Sequence, residues 1–450
     1  MSTKEINNNF EAQIEKYSKL CYDNCRIEPE LNIKHKVFRG LRDLQGKGVL
    51  TGLTKISDVI ARKEVDGKEI YIPGELYYRG YRMSDLVNNF ASENRFGFAE
   101  TCYLLFFGHL PTKPQLERFC QLMSRFEKLP PRFDEDILMK APTPSIMNKM
   151  ATAVLTLYAY DPNPDDTSLD NMMRQSMEIT ARLPVIAAQS YAVYRSAFHD
   201  ESLNIHNPVD GLSTAENFLR VLRPDSSYTE REARLLDVAL VVHAEHGGGN
   251  NSTFATRVLA SSGTDTYSAI ASGIGALKGP RHGGANIKVV QMFDDMKASI
   301  NTKDTAAVKD HLVRLLDKQA FDKAGLIYGM GHAVYSLSDP RSDIFKKHIQ
   351  RLAEEKGRMD EFELYSNVEQ LGPEVIRKVH PNAKECCANV DLYSGFVYDM
   401  LGIPRNQIHS ITIPCFGTTD RTYDNACKMA VALGTVLEEV DIKEAVSLHF

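Results

Sequence analysis

The sequence predicts an all-α protein relieved by one small β-hairpin. Three observations predict it: apolar residues recur at helical spacing through most of the chain, start and stop signals bracket those runs, and strand-like signals are confined to one stretch. Phe10, Ile14, Tyr17 and Cys21 stand at spacings of four, three and four, which predicts an amphipathic helix near the N-terminus. Lys63-Glu64-Val65 and Glu69-Ile70-Tyr71-Ile72 flank Asp66-Gly67, a dipeptide suited to a tight hairpin turn. Thr229 with Glu232 predicts a capping box. It opens a helix whose inner face carries Leu236, Leu240 and His243 and which Gly247-Gly248-Gly249 stops. Asp265 predicts the cap of the next helix, with Tyr267, Ile270, Ile274 and Leu277 turned inward and Gly279-Pro280 as its end. Ala269, Gly273 and Ala276 in that helix are small enough to admit a close neighbour. Asp339-Pro340 predicts an N-cap followed by proline at the first helical position, with Phe345, Ile349 and Leu352 facing inward. Ser394 to Leu401 predicts a last short helix, stopped by Gly402 and Pro404. No βαβ alternation and no fixed-period repeat occurs, which disfavours Rossmann, TIM-barrel and solenoid architectures.

A length of 450 residues allows two or three domains and a large core. Hydrophobic residues at 43% and charged residues at 25% exclude disordered and collagenous classes. Lys+Arg at 53 against Asp+Glu at 59 leaves a net charge of −6, which argues against a basic nucleic-acid binder. The eight cysteines form no CxxC and no zinc-ribbon spacing, so reduced thiols in a reducing compartment are expected. The first residues carry Glu5, Glu11 and Glu15 and no apolar block, unlike a signal or transit peptide. No stretch approaches the ~18 apolar residues of a membrane span. A soluble, cytoplasmic protein without nucleic-acid or membrane partners is predicted.

Four polar clusters sit beside glycines or helix ends, where backbone can approach a ligand closely. The first is His243-Ala244-Glu245-His246-Gly247-Gly248-Gly249-Asn250-Asn251. Its histidines are three apart, unlike the HExxH of zinc enzymes, and no metal site is expected. His243 continues an apolar face and reads as a core residue. His246, at the carboxyl end of its helix, reads as a contact for an anion. The second is Gly279-Pro280-Arg281-His282-Gly283-Gly284-Ala285-Asn286, which lacks the ending of a P-loop. The third runs from Gly325 through Ile327, Gly329, Gly331 and His332 to Arg341, and is only half of a dinucleotide fingerprint. In the fourth, Asp391 precedes a helix, where it can serve as an N-cap or as a general base. Two loop histidines, one carboxylate and flanking arginines suit proton abstraction next to a carbonyl.

The segments HAEHGGGN, GPRHGGAN, GMGHAVYSLSDPR and ANVDLYSG, with Tyr78-Arg79-Gly80-Tyr81 and Phe98 to Leu105 upstream, resemble the citrate synthase family in order and approximate spacing. The resemblance covers roughly Leu50 to Pro404 and looks most like citrate synthases of Gram-positive bacteria. It implies an almost all-α homodimer, with a small domain closing over the substrates. By this resemblance residues 1–281 and 400–450 form the large domain and residues 282–399 the small one. It implies condensation of acetyl-CoA with oxaloacetate and hydrolysis of citryl-CoA, with both compounds as substrates and no cofactor. Asp391 would take a methyl proton, His282 would stabilise the enolate, and His332 would polarise and protonate the ketone. His246 and Arg341 would hold oxaloacetate carboxylates. Ile327, Gly329, Gly331 and Ala333 would lie against CoA.

The C-terminus departs from the family pattern. Where an arginine is expected, counting forward from Pro404 reaches Phe416 and counting back from Glu438 reaches Lys428, with Arg421 between them. Lys428 replaces a charge but not a bidentate fork. A weakly active or non-catalytic homologue is therefore one alternative to citrate synthase, and 2-methylcitrate synthase using propionyl-CoA is another.

Overall fold

The computed structural model describes residues 13–14, 16–19, 29–35 and 54–404, apart from 249, 280–284, 333 and 384. His282, Ala333, Arg421 and Lys428 therefore lie outside the described residues. The chain divides into two compact units, Met1–Thr51 and Gly52–Phe450. In the first, residues 13–14 and 16–19 are helical, as the spacing around Ile14 and Tyr17 predicts, and Pro29–Lys34 forms a short helix.

The second unit opens on a three-stranded antiparallel sheet, β1 (Ser57–Val65), β2 (Lys68–Tyr78) and β3 (Tyr81–Arg82), in that order. The hairpin turn is the predicted one: Asp66 and Gly67 both take positive φ, 52° and 70°, which fits the right-handed twist of the strands. The strands are longer than the predicted pairing and include a register shift between Ile60 and Arg62.

Helices supply the rest. They are α1 (Met83–Ser92), α2 (Phe98–Phe107), α3 (Lys113–Phe126), α4 (Ile146–Leu157), α5 (Leu169–His199), α6 (Thr214–Leu222) and α7 (Glu230–Val242). After them come α8 (Asn251–Ser261), α9 (Thr266–Lys278), α10 (Ala285–Ser299), α11 (Thr305–Leu316), α12 (Pro340–Glu355), α13 (Met359–Val379) and α14 (Val390–Met400). The all-α class stands. The Thr229–Glu232 capping box opens α7, Asp265 caps α9, and Asp339 caps α12 with Pro340 in its first turn. In α9 the small residues do what their size allows. A Cβ on Gly273 would fall 2.6 Å from Thr256 Oγ1 of α8, so only glycine admits that approach.

Four helices and one strand meet where the chemistry-bearing residues lie. α12 packs against α14, α7 and β2, and α10 packs against α14. His243 fastens this junction. Its Nδ1 lies 2.9 Å from the Ala239 carbonyl and 3.2 Å from the Tyr398 hydroxyl, and its ring is 5.6 Å from Phe345. Burial holds it neutral, with its pKa pushed down to about 4. The core reading of His243 is the structural one.

Candidate active site

Two local rules differ from the sequence expectation. α14 begins at Val390, four residues before the predicted Ser394, because Val390, Leu392 and Tyr393 all bury side chains. Its N-cap is Asn389, not Asp391: the Asn389 side chain accepts the Asp391 amide at 2.9 Å. Asp391 is thereby released from capping and sits in the first turn. Likewise α7 ends at Val242 with His243 as C-cap, so His246 lies beyond the helix rather than in its last turn. The helix dipole therefore does not hold His246 as a cation. Burial, followed by the nearby Arg341 charge, holds this imidazole well below its ordinary pKa and neutral.

The loop before α12 is stitched to the segment before α14. Gly331 N donates to the Cys387 carbonyl at 2.8 Å, and Asn389 N donates to the Gly329 carbonyl at 2.9 Å. Asn389 Nδ2 donates to the Gly331 carbonyl at 2.8 Å, and Met330 pairs with Ala388 in a single antiparallel bridge. One asparagine thus caps the helix that carries Asp391 and clamps the loop that carries His332. Gly329 permits this with φ +85°, and a Cβ there would meet Leu392 Cδ1 at 2.9 Å and Cα at 3.0 Å. Gly331 has φ +89° with open space around it. Gly329→Ala is expected to cost more than the ~1–2 kcal/mol of the left-handed backbone and to lower kcat by moving His332 against Asp391. Gly331→Ala is expected to cost the backbone part alone. Thermal unfolding and kinetics of the two variants check this contrast. The Ile327 side chain is packed into the core.

His332 Nδ1 accepts the Val334 and Tyr335 amides, each at 3.1 Å, so the ring proton belongs on Nε2. Burial, then Arg341, lowers its pKa to about 4. The Arg341 Nη2 lies 3.4 Å from that same Nε2. Two donors side by side are the arrangement that suits a carbonyl or carboxylate oxygen. Arg341 is held in a fork by Asp339, Nε to Oδ1 at 3.0 Å and Nη2 to Oδ2 at 2.7 Å, with both residues buried. Burial opposes the guanidinium charge, and Asp339 more than restores it. The His246 and His332 rings meet edge to face at 5.2 Å.

Burial raises Asp391 to about 6; the Asp339 charge adds to this, while Arg341 and Asn286 pull the other way. Asn286, near the start of α10, donates to Ser394 Oγ of α14, which ties α10 to the Asp391 helix. The structure therefore brings His246, His332, Arg341 and Asp391 together.

Sequence reasoning passed over several residues that build this place. Glu245 Oε1 accepts from Ser57 Oγ at 3.0 Å and from Gly247 N at 2.7 Å, which fixes the turn after His246 to β1. Tyr335 and Asp339 stood inside a quoted motif, but only as spacing and cap. Asn389 was overshadowed by Asp391 two residues on.

A family model described as citrate synthase, C-terminal domain, matches residues 43–416. The chain is similar to a citrate synthase of Haloferax volcanii, 33% identical over 80% of this chain and 84% of that one. It is 30% identical to 2-methylcitrate synthase 1 of Corynebacterium glutamicum, over 79% of this chain and 84% of that one. Among solved structures, citrate synthase from Pyrobaculum aerophilum superposes with a TM-score of 0.69 at 26% identity, covering 90% of this chain and 94% of that one. The chain belongs to the citrate synthase family, and a citrate-forming acyltransferase is the enzyme class that this match over most of its length assigns to it.

Proposed function

We propose that the four assembled groups condense acetyl-CoA with oxaloacetate. The single observation that carries the reading is the pair of donors, His332 Nε2 and Arg341 Nη2, standing beside a carboxylate whose pKa is raised toward neutrality. Asp391 takes a proton from the thioester methyl group. The carbon so freed attacks the ketone of oxaloacetate, and His332 polarises and then protonates the ketone oxygen. Water cleaves the citryl thioester, releasing citrate and CoA. Arg341 and neutral His246 hold oxaloacetate carboxylates. His282 stabilises the enolate, and Arg421 or Lys428 supplies a further cation. CoA runs along Gly329, Gly331 and Ala333. Acid–base groups suffice for each step, so no cofactor is assigned. Residues 282–399 are proposed as a small domain closing over the substrates, with 1–281 and 400–450 as the large one. A homodimer working in the cytoplasm completes the reading. No helix among the described residues is long and apolar enough to cross a membrane.

Mixing the protein with acetyl-CoA and oxaloacetate is expected to release free thiol. No release from folded protein at saturating substrates would sink the reading. The likeness to a 2-methylcitrate synthase motivates the second reading, propionyl-CoA as acyl donor. One methylene in a pocket is worth about 1–3 kcal/mol, so kcat/KM for the two acyl-CoAs decides between them.

A further inference from the structure

Tyr335 touches both imidazoles of the site, through three different groups. Its backbone amide donates to His332 Nδ1 at 3.1 Å. Its ring lies under His332, 4.7 Å between centroids and 26° from parallel. Its hydroxyl stands 3.3 Å from His246 Nε2. The side chain is 1% exposed, which is a costly place for a hydroxyl without a task.

What holds the ring is as specific as what it holds. Ala61 of β1 and Cys387 pack with it, and the Arg341 guanidinium lies 5.9 Å over its face. Behind it runs β2. A Cβ on Gly74 would fall 2.5 Å from Tyr335 Cδ1 and 2.3 Å from the Ser338 carbonyl, so glycine alone lets strand and ring approach this closely. The Gly74 amide donates to the Ser338 carbonyl at 3.2 Å, anchoring the same turn.

We propose that Tyr335 is a positioning residue for oxaloacetate: its amide, with that of Val334, keeps the His332 proton on Nε2, its ring holds the plane of that imidazole, and its hydroxyl, donating to His246 Nε2, keeps the His246 proton on Nδ1. A neutral imidazole has one proton to offer, and its partner at one nitrogen decides where that proton is offered. Burial pushes the phenol well above its ordinary pKa, so it stays protonated and able to donate at neutral pH. The proposal rests on the condensation reading for its ligand, but not for its first readout.

Tyr335→Phe keeps the amide and the ring and removes only the hydroxyl. Nitrogen-15 spectra of histidine-labelled protein are expected to show His246 passing from an Nδ1–H form to a mixture of tautomers, with His332 unchanged. Oxaloacetate affinity by calorimetry is expected to fall about five- to tenfold, the scale of one hydrogen bond, with kcat nearly constant. Tyr335→Leu and Gly74→Ala are expected to disturb His332 as well and to lower kcat. If either fails to fold, the phenylalanine variant still decides. Unchanged His246 tautomers or unchanged oxaloacetate affinity in Tyr335→Phe overturns the proposal. Absent turnover in the unaltered protein overturns the condensation reading alone, because the tautomer signal needs no turnover.

Discussion

Asp391→Asn is expected to reduce condensation by about 10³-fold, the usual scale for losing a positioned general base, while making the folded protein more stable at pH 8. Both effects follow from a carboxylate raised to about 6 by burial and the nearby Asp339 charge. An acid whose pKa is higher folded than unfolded ionises more readily in the unfolded chain. The penalty on folding grows between about pH 4 and 6 and is full above that, reaching at most about 3 kcal/mol for a shift of roughly two units. The asparagine variant removes this penalty, so its gain in thermal midpoint at pH 8 should vanish by about pH 4. In the unaltered enzyme, kcat/KM for acetyl-CoA should fall about tenfold per pH unit below about 6. The slope should be that of one proton, because His246 and His332 are already neutral there. An acid limb centred near pH 4, or a variant less stable than its parent at pH 8, would contradict the assignment.

Asp339→Asn is expected to cost about 3–5 kcal/mol of stability, the scale for leaving one member of a buried ion pair alone. The substitution keeps the side-chain shape and the ability to cap α12. It removes the charge that faces Arg341 in the buried fork. Replacing Arg341 by Met in the same chain should recover a large part of the loss, since the uncompensated charge is then gone. Denaturant midpoints of the single and double variants measure this, and equal midpoints would mean that the ion pair is not the cause. Asp339 also raises the pKa of Asp391. The single variant should therefore shift the acid limb of kcat/KM to lower pH while weakening oxaloacetate binding.

What was legible in the sequence was local. The Asp66-Gly67 turn, the Thr229 capping box, the Asp265 and Asp339 caps and the inward faces of α7, α9 and α12 depend on residues within one or two turns. His246, His332, Arg341 and Asp391 were legible because each stands in a polar motif beside glycines or a helix end. The identity of the α14 cap was not legible, since Asn389 and Asp391 are both good caps two residues apart. Burial of Val390 decides between them, and burial is a property of the folded chain. The supports were least legible of all. Gly74 meets Ser338 across 264 residues, and Asp237 reaches back 140 residues to accept the Gly97 amide at the start of α2. No periodicity reports such partners. Their effect on charge is as remote: burial drives the Asp237 carboxyl up to about 7 despite its backbone donors.

The contact between Gly74 and Tyr335 also constrains how this enzyme can change over generations. Any side chain at position 74 collides with the tyrosine behind the histidines. A smaller residue at 335 leaves a void against the strand. A smaller residue at 335 would not free position 74 either, because a Cβ there also meets the Ser338 carbonyl at 2.3 Å, so glycine is the residue expected to persist at 74. Glu64 and Lys68 of the same hairpin, out at the turn and exposed, are free to wander. A ribbon with no reacting group of its own thus carries part of the selective pressure on the chemistry.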